Sequence, residues 1–397
     1  MSDTTAWVAG FRSAVISPYE QVKLTESRAF ADETVRQVLH LAGGGEQFRI
    51  RLTNLFGQTP LVIGAARVAL RKNGSEIVTE TDAVLRFDGA DQITIPVGGA
   101  VVSDPVELAV NAGTDLMLSL YLPEPTGLAT LSHQPSETAY VATGNVTAEP
   151  NLADPEEVPA RFFVTGVDVL APVGTPIAVA LGDSWFEGVG STMSANLRSV
   201  DALNARLDHG WAVNQGIGGN RLLANEIGVP GLDRFDRDVL SVPGARTVLI
   251  NFGINDLILG GMSGEPPATT DELIAGFTEI ARRAHEADLT IHAATIGPYA
   301  GCIYPGMPLE ETQQTRREVN EWLRTTTVFD SVFDVARAVE DPARPGFIAP
   351  HYDCGDGMHL NDAGHRAMAE TIDITRLSVD ELLAPAATSD PAAHRPA

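Results

Sequence analysis

The sequence predicts an all-β half followed by an α/β half that contains a parallel sheet. Three observations support this prediction. Residues from about 30 to 145 form short apolar or alternating runs separated by Gly, Asn, Asp and Pro. Residues 146–159 have the Ala, Glu, Asp and Pro content of a linker. After residue 177, short apolar runs alternate with helical patterns, which indicates βαβ units.

We therefore expect a β-sandwich or jelly-roll-like domain over residues 1–150 and a linker with the domain junction over 151–172. The α/β domain should cover residues 173–384. Residues 385–397 are rich in Ala and Pro and should form a disordered tail. The chain has 397 residues, of which 44% are hydrophobic, enough for two domains with apolar cores.

In the β-half, residues 47–52 alternate polar and apolar side chains as a half-buried strand does. Further strands are predicted at residues 61–63, 66–70, 92–95, 106–110 and 116–121. In the α/β half, strands are predicted at residues 177–181, 211–214, 247–252, 290–296 and 332–335. Helices are predicted at residues 200–207, 271–287, 310–324 and 361–373, the last with Asn361 or Asp362 as its N-cap.

Composition excludes several classes of function. The formal charge of −25 repels phosphate backbones and anionic lipid, so we expect neither nucleic acid nor membrane as a partner. The sequence contains no apolar run of about 18 residues, so we expect no membrane-spanning helix. Residues 1–7 lack the features of a secretory signal, so we expect a cytoplasmic protein, with secretion by another route left open.

Four sequence blocks place chemically useful residues where the functional edge of a parallel sheet should be. Residues 182–185 (Gly-Asp-Ser-Trp) follow the first strand, the Gly-rich residues 214–220 follow the second, and residues 253–256 (Gly-Ile-Asn-Asp) follow the third. Residues 356–359 (Asp-Gly-Met-His) precede the last helix. Each block alone has an ordinary structural explanation: a helix cap, a Gly-rich turn, an Asx-turn or an exposed histidine.

In this order and spacing, the four blocks resemble those of the SGNH (GDSL-type) hydrolases, over roughly residues 175–375. The resemblance implies a three-layer α/β/α sandwich with a short parallel sheet, and a serine esterase that needs no cofactor. It implies the following roles: Ser184 as nucleophile and backbone oxyanion donor, Gly219 as a second backbone donor, Asn255 as a side-chain donor, His359 as general base, and Asp356 as the acid that orients it.

Two positions depart from the pattern of that family. Trp185 stands where many members have Leu, and Leu360 follows the histidine where Pro is common. Neither change touches a catalytic atom. Together with Asp183 and Asn220, Trp185 is a candidate for the substrate pocket, where a large ring would narrow the acyl site.

The N-terminal half resembles the β-domain that precedes the catalytic domain in some carbohydrate esterases, and residues 51–57 resemble a region of bacterial two-domain SGNH proteins. The resemblance implies a short-chain ester as the substrate, and O-acetyl groups on carbohydrate are the preferred candidate. Two alternatives are an aryl, alkyl or lipase-like esterase, and a glycan-binding protein without activity. The expected partner is a small-molecule or oligosaccharide ester, and self-assembly is left open.

Two further hypotheses concern the C-terminal loop. Asp353, Asp356, His359, Asp362 and His365 recur at every third residue near His351, a set of potential metal ligands. That spacing, running from a loop into a helix, does not keep all of them on one face, so we do not expect a metal. Cys302 and Cys354 are either two free thiols or a disulfide that braces the 356–359 loop.

Overall fold

A computed structural model describes residues 4–260 and 264–377. The tail predicted over 385–397 lies outside the described residues. Within the described ranges, no helix is long and apolar enough to cross a lipid bilayer.

The N-terminal half is built from antiparallel strands. In chain order they are β1 (Thr5–Arg12), β2 (Glu33–His40), β3 (Phe48–Thr53), β4 (Leu61–Ile63), β5 (Ala65–Asn73), β6 (Glu76–Ile77), β7 (Ala83–Val84), β8 (Ile93–Ile95), β9 (Ala100–Val102), β10 (Asp115–Leu122), β11 (Leu131–Ser132), β12 (Ala139–Thr143), β13 (Glu156–Val158), β14 (Arg161–Phe162) and β15 (Val164–Pro172). One sheet has the order β1-β15-β3-β9, and the other has the order β13-β12-β2-β10-β5-β6 with β7 beside β5. The alternation predicted for residues 47–52 is present, because Phe48, Ile50 and Leu52 are buried while Arg49 and Arg51 reach the edge of the core.

Two segments of this half differ from the prediction. Residues 106–110 form isolated bridges at Val106 and Val110, because the Leu108 N–H turns back to the Val106 carbonyl and breaks the extended ladder. The predicted linker and junction over residues 151–172 contains β13, β14 and β15, and β15 lies between β1 and β3. The linker-like composition is confined to the start of that segment, and alternating apolar residues follow it.

The second half contains a parallel sheet with the order β17-β16-β18-β19-β20. Its strands are β16 (Ile177–Gly182), β17 (Trp211–Gly216), β18 (Ala245–Asn251), β19 (Thr290–Ala294) and β20 (Ser331–Phe333). Its helices are α1 (Ser184–Glu187), α2 (Ser199–Asn204), α3 (Gly231–Phe235), α4 (Ile254–Ile258), α5 (Thr270–Glu286), α6 (Gln313–Thr325), α7 (Val335–Val339) and α8 (Asp362–Glu370). Asn361 is the N-cap of α8 and accepts the N–H groups of Ala363 and Gly364, as one of the two predicted caps.

Helices cover both faces of this sheet. Every residue of the inner strand β16 is buried, as expected for a strand packed on both sides. Helix α8 contacts both α2 and α7 in one group, and α5 contacts both α3 and α6 in a second group. The predicted fold class, an all-β domain followed by a three-layer α/β/α sandwich, is confirmed.

The two halves share one apolar core. A single cluster of buried side chains runs from Val8 and Phe48 in the β-half to Val179 and Phe277 in the α/β half. At the junction, the Trp211 indole N–H donates to the Ala9 carbonyl at 2.6 Å. Edge strand β17 is therefore attached to β1, and the β-half lies next to the Gly-rich loop that follows β17.

Candidate active site

Ser184 lies at the carboxyl end of β16, where it is the first residue of α1. Asp183 is the N-cap of that helix and accepts the Trp185 N–H at 3.1 Å. The cap fixes the turn from strand to helix, so the serine hydroxyl points away from the sheet. Its Oγ lies 3.0 Å from His359 Nε2, which is hydrogen-bonding distance.

His359 is held between Ser184 and Asp356. The Nδ1 of His359 lies 2.6 Å from Asp356 Oδ2. The other oxygen, Asp356 Oδ1, accepts the N–H groups of Met358 at 2.9 Å and of His359 itself at 2.8 Å. Partial burial alone would raise the pKa of Asp356, but the bond and charge of His359 and the two N–H groups hold that pKa well below its usual range. The Asp356 carboxylate is therefore ionised at neutral pH.

Tyr304 is a member of this site that the sequence reasoning missed. Its hydroxyl donates to Asp356 Oδ2 at 3.1 Å, so that oxygen accepts from both the tyrosine and the histidine. Partial burial and the nearby Asp356 carboxylate raise the pKa of Tyr304 to about 12, which keeps the hydroxyl a donor. No local pattern marks this residue, which lies in a loop beyond β19. Only its position after a strand end could have drawn attention to it.

The two backbone N–H groups predicted as oxyanion donors belong to Ser184 and Gly219. Among the described residues, no hydrogen bond occupies the N–H of Ser184 or of Gly219. Gly219 has a φ of +76°, a left-handed conformation that suits glycine. The Asn255 amide nitrogen lies 3.0 Å from the Asn220 carbonyl and 3.4 Å from Asp183 Oδ2, so it contacts the residues next to Gly219 and Ser184. Its hydrogens thus have partners in the free protein, and the longer contact is the one to Asp183.

The three residues predicted as substrate-pocket candidates are buried instead. Asp183, Trp185 and Asn220 are each at most 1% exposed. The Trp185 indole N–H donates to the Met358 carbonyl at 3.0 Å, and the Asn220 amide donates to the carbonyls of Ile227 and Val229. Because their polar atoms are used inside the protein, these side chains support the backbone of the site and present no surface to a substrate.

The pKa of the Asp183 carboxyl lies well above its ordinary value. Burial raises its pKa to about 7, and the nearby Asp256 carboxylate adds to the effect. The unfolded chain releases this proton near pH 4, so between about pH 4 and 7 the folded state binds more protons than the unfolded state. The free energy of unfolding should therefore fall as the pH rises through that window, by up to about 1.4 kcal/mol per pH unit for this group.

We expect Asp183→Asn to remove this dependence, because an amide does not titrate and its oxygen can still cap α1. Urea unfolding at pH 5 and pH 8 measures the effect. Wild type should lose more stability between the two pH values than the variant does. Equal losses in the two proteins would contradict the assignment of the raised pKa.

Of the six residues considered as metal ligands, Asp353 and Asp356 stay close together, while the other four face different partners. The ligand atoms of Asp353, Cys354 and Asp356 lie within 4.8 Å of one another, while His359 faces Ser184. Asp362 binds the N–H and hydroxyl of Thr192, His365 is buried against the Val189 carbonyl, and His351 packs on Tyr352.

Both cysteines are free thiols, Cys302 buried and Cys354 exposed. Although the residue is exposed, partial desolvation of its sulfur raises the pKa of Cys354 to about 11, and the Asp356 carboxylate adds to the effect. At neutral pH this thiol is therefore protonated and a weak nucleophile.

Comparison with known proteins places the second half in a family. Residues 180–367 match the model of the GDSL-like lipase/acylhydrolase family. No curated protein sequence matches the chain. Among solved structures, a carbohydrate acetylesterase from Sinorhizobium meliloti is 15% identical, with a TM-score of 0.42 over 51% of this chain and 99% of its own.

Two further solved structures are similar over a comparable share of the chain. An aryl esterase from M. smegmatis is 14% identical, with a TM-score of 0.41 over 53% of this chain and 100% of its own. A GDSL-like lipase from Bacteroides thetaiotaomicron is 15% identical, with a TM-score of 0.38 over 53% of this chain and 90% of its own. By the family match, residues 180–367 form a domain of the GDSL-like lipase/acylhydrolase family, and the protein is a carboxylic ester hydrolase.

Proposed function

We propose that the protein is a serine esterase in which Ser184 is the nucleophile, His359 the general base and Asp356 the residue that orients the base. One observation carries the proposal: His359 lies 3.0 Å from Ser184 Oγ and 2.6 Å from Asp356 Oδ2. A base within hydrogen-bonding distance of a hydroxyl, and itself held by a carboxylate, is the arrangement that activates serine.

The reaction follows from these contacts. His359 Nε2 takes the Ser184 proton as Oγ attacks the ester carbonyl carbon. The tetrahedral intermediate collapses when the carbon–oxygen bond to the alcohol breaks, and the leaving oxygen takes the proton from His359. Water then attacks the acyl-serine, with His359 as base again, and releases the acid. The Asp356 carboxylate stabilises the imidazolium in both halves of the cycle.

The negative charge on the carbonyl oxygen would be bound by the N–H groups of Ser184 and Gly219 and by the Asn255 amide. The two backbone groups have no competing acceptor among the described residues. Asn255 would exchange its 3.4 Å contact with Asp183 for the shorter bond to the charged oxygen. Burial of Asn255 strengthens such a bond, since water is excluded from the site.

We propose short-chain esters as the substrate, with O-acetyl groups on carbohydrate as the first class to test. The support is the combination of an all-β domain with this catalytic domain, which resembles carbohydrate esterases. The partner would then be a small-molecule or oligosaccharide ester.

A second candidate is an esterase for aryl or alkyl esters, and it is favoured by a different observation. Two exposed apolar side chains lie near residues of the site. Leu24 approaches Gly219 and is 45% exposed, and Ile303, next to Tyr304 in the sequence, is 67% exposed. Exposed apolar side chains beside a nucleophile would bind an apolar alcohol or acyl group.

A fluorophosphonate probe tests the mechanism without knowledge of the substrate. We expect the intact protein to gain the mass of one phosphonyl group on Ser184. An unlabelled protein would contradict the esterase mechanism and favour a glycan-binding role. Rates on acetylated xylose and on p-nitrophenyl esters of increasing chain length then distinguish the two substrate classes.

A further inference from the structure

Residues 132–136 of the β-half run along α1 and the Gly-rich loop that precedes Gly219. From the contacts of this segment, we propose that the β-half positions the oxyanion-binding peptide of the active site through His133 and Glu187. The inference rests on the proposed function, because it assigns a role in aligning the Gly219 N–H. It also gives the β-half a part in catalysis that the sequence leaves open.

Glu187 is a buried carboxylate that joins the two halves. One oxygen, Oε1, accepts the Gln134 N–H at 3.1 Å and the Ser132 hydroxyl at 3.3 Å, both from the β-half. The other oxygen, Oε2, accepts the Gly218 N–H and lies 3.5 Å from His133 Nε2. Burial would raise the pKa of Glu187, but His133 and these N–H groups lower it, so the carboxylate is ionised.

His133 holds the other side of the same glycine. Its Nε2 lies 3.0 Å from the Gly218 carbonyl oxygen, and because a carbonyl only accepts, Nε2 carries the hydrogen and donates. Its Nδ1 is buried and has no hydrogen-bond partner within the described residues. The ring therefore makes its polar contacts through Nε2 alone, which donates to the Gly218 carbonyl and lies near the Glu187 carboxylate. Both backbone polar groups of Gly218 are thus bound by one buried pair.

This contact fixes the direction of the proposed oxyanion donor. The Gly218 carbonyl and the Gly219 N–H belong to one planar trans peptide, so they point in opposite directions. When His133 binds the carbonyl, the N–H is aimed away from the β-half. Donation to the carbonyl also polarises the peptide, which makes its N–H a stronger donor.

The packing around Gly218 is close. A Cβ on Gly218 would lie 2.3 Å from Gln134 Oε1 and 3.1 Å from Glu187 Oε2. Side chains of the β-half and of α1 therefore occupy the space beside the Gly218 Cα, so a larger residue does not fit at this position. A buried carbonyl that lost the His133 bond would also be unsatisfied, and the peptide could flip to find another partner.

The test compares variants at His133 that keep or remove the donor. His133→Gln keeps a donor near the position of Nε2, whereas His133→Asn is one methylene shorter and His133→Phe has none. Ser136→Ala is the matched control, because it removes a buried contact of the same segment, the 2.8 Å bond to the Gly188 carbonyl, without touching Gly218. Each protein is titrated with fluorophosphonate, and kcat for p-nitrophenyl acetate is expressed per titrated site.

We expect His133→Phe and His133→Asn to lower kcat about 10- to 100-fold with little change in KM, below the roughly 10²–10³-fold cost of losing a whole oxyanion donor. The Ki of an alkylboronic acid, which forms a tetrahedral adduct on the serine, should rise by the same factor. His133→Gln should recover most of the rate, and Ser136→Ala should stay near wild type.

Two results would overturn the inference. One is wild-type kcat per titrated site in both His133→Phe and His133→Asn, even if fewer sites are titrated, because that describes a purely structural contact. The other is an equal loss in Ser136→Ala. If His133→Phe does not fold, the test compares kcat per titrated site between His133→Asn and His133→Gln, and equal values would overturn the inference. A wild-type protein that the probe does not label would instead contradict the proposed function itself.

Discussion

Ser184→Ala should lower kcat for p-nitrophenyl acetate by about 10⁶-fold, because among the described residues no other hydroxyl hydrogen-bonds to His359 Nε2. His359 Nε2 is the one hydrogen-bond partner of Ser184 Oγ among the described residues. The variant should therefore stay folded, since alanine is well tolerated in the first turn of a helix. Initial rates and a thermal unfolding curve measure the two effects.

Ser199→Ala provides a matched control for that variant. Ser199 is also a buried serine at the start of a short helix, and its hydroxyl donates to the Trp185 carbonyl at 2.7 Å. Its loss should cost about 1 kcal/mol of stability and leave most of the activity. If Ser184→Ala kept near-full activity, or if both variants lost it equally, Ser184 would not be the nucleophile.

Asp356→Asn should lower kcat by about 10⁴-fold, the second-largest effect. The carboxylate accepts from His359 Nδ1 at 2.6 Å, which leaves Nε2 free to take the serine proton. An amide at this position can present its own N–H to Nδ1, and the ring would then carry its hydrogen on Nε2, facing Ser184. The measurement is kcat per site titrated with fluorophosphonate.

Tyr304→Phe is the smaller change at the same carboxylate. It removes the 3.1 Å bond to Asp356 Oδ2 and leaves both the charge and the His359 contact. We expect a loss of a few-fold, in line with one hydrogen bond to a charged group that is partly exposed. A variant Asp356→Asn no slower than Tyr304→Phe would mean that the carboxylate does not orient the base.

Much of this site was predictable because parallel strands end at one edge of a sheet. Ser184 follows β16 and Asn255 follows β18, and since these strands are neighbours, Asn255 contacts Asp183, the residue next to Ser184. His359 was predictable from its spacing to Asp356 on one turn. The sequence shows both the short motifs that contain these residues and the alternation of strands and helices that places strand ends at one edge.

The residues that sequence reasoning missed depend on contacts between distant segments. His133 reaches Gly218 across 85 residues, and Tyr304 reaches Asp356 across 52. Neither lies in a pattern that local chemistry would mark. The burial of Trp185 was also hidden, because a large side chain beside a nucleophile is equally compatible with a pocket wall and with the core.

The position of β15 has a consequence for how the chain acquires its structure during synthesis. This strand pairs with β1 on one side and β3 on the other, so Thr5 meets Pro172. The ribosome must deliver residue 172 before β1 has its full partner strand. Until then, β1 and β3 expose unpaired edges, and long-range pairing of this kind is slow. A nascent chain stalled near residue 150 would therefore be a substrate for chaperones.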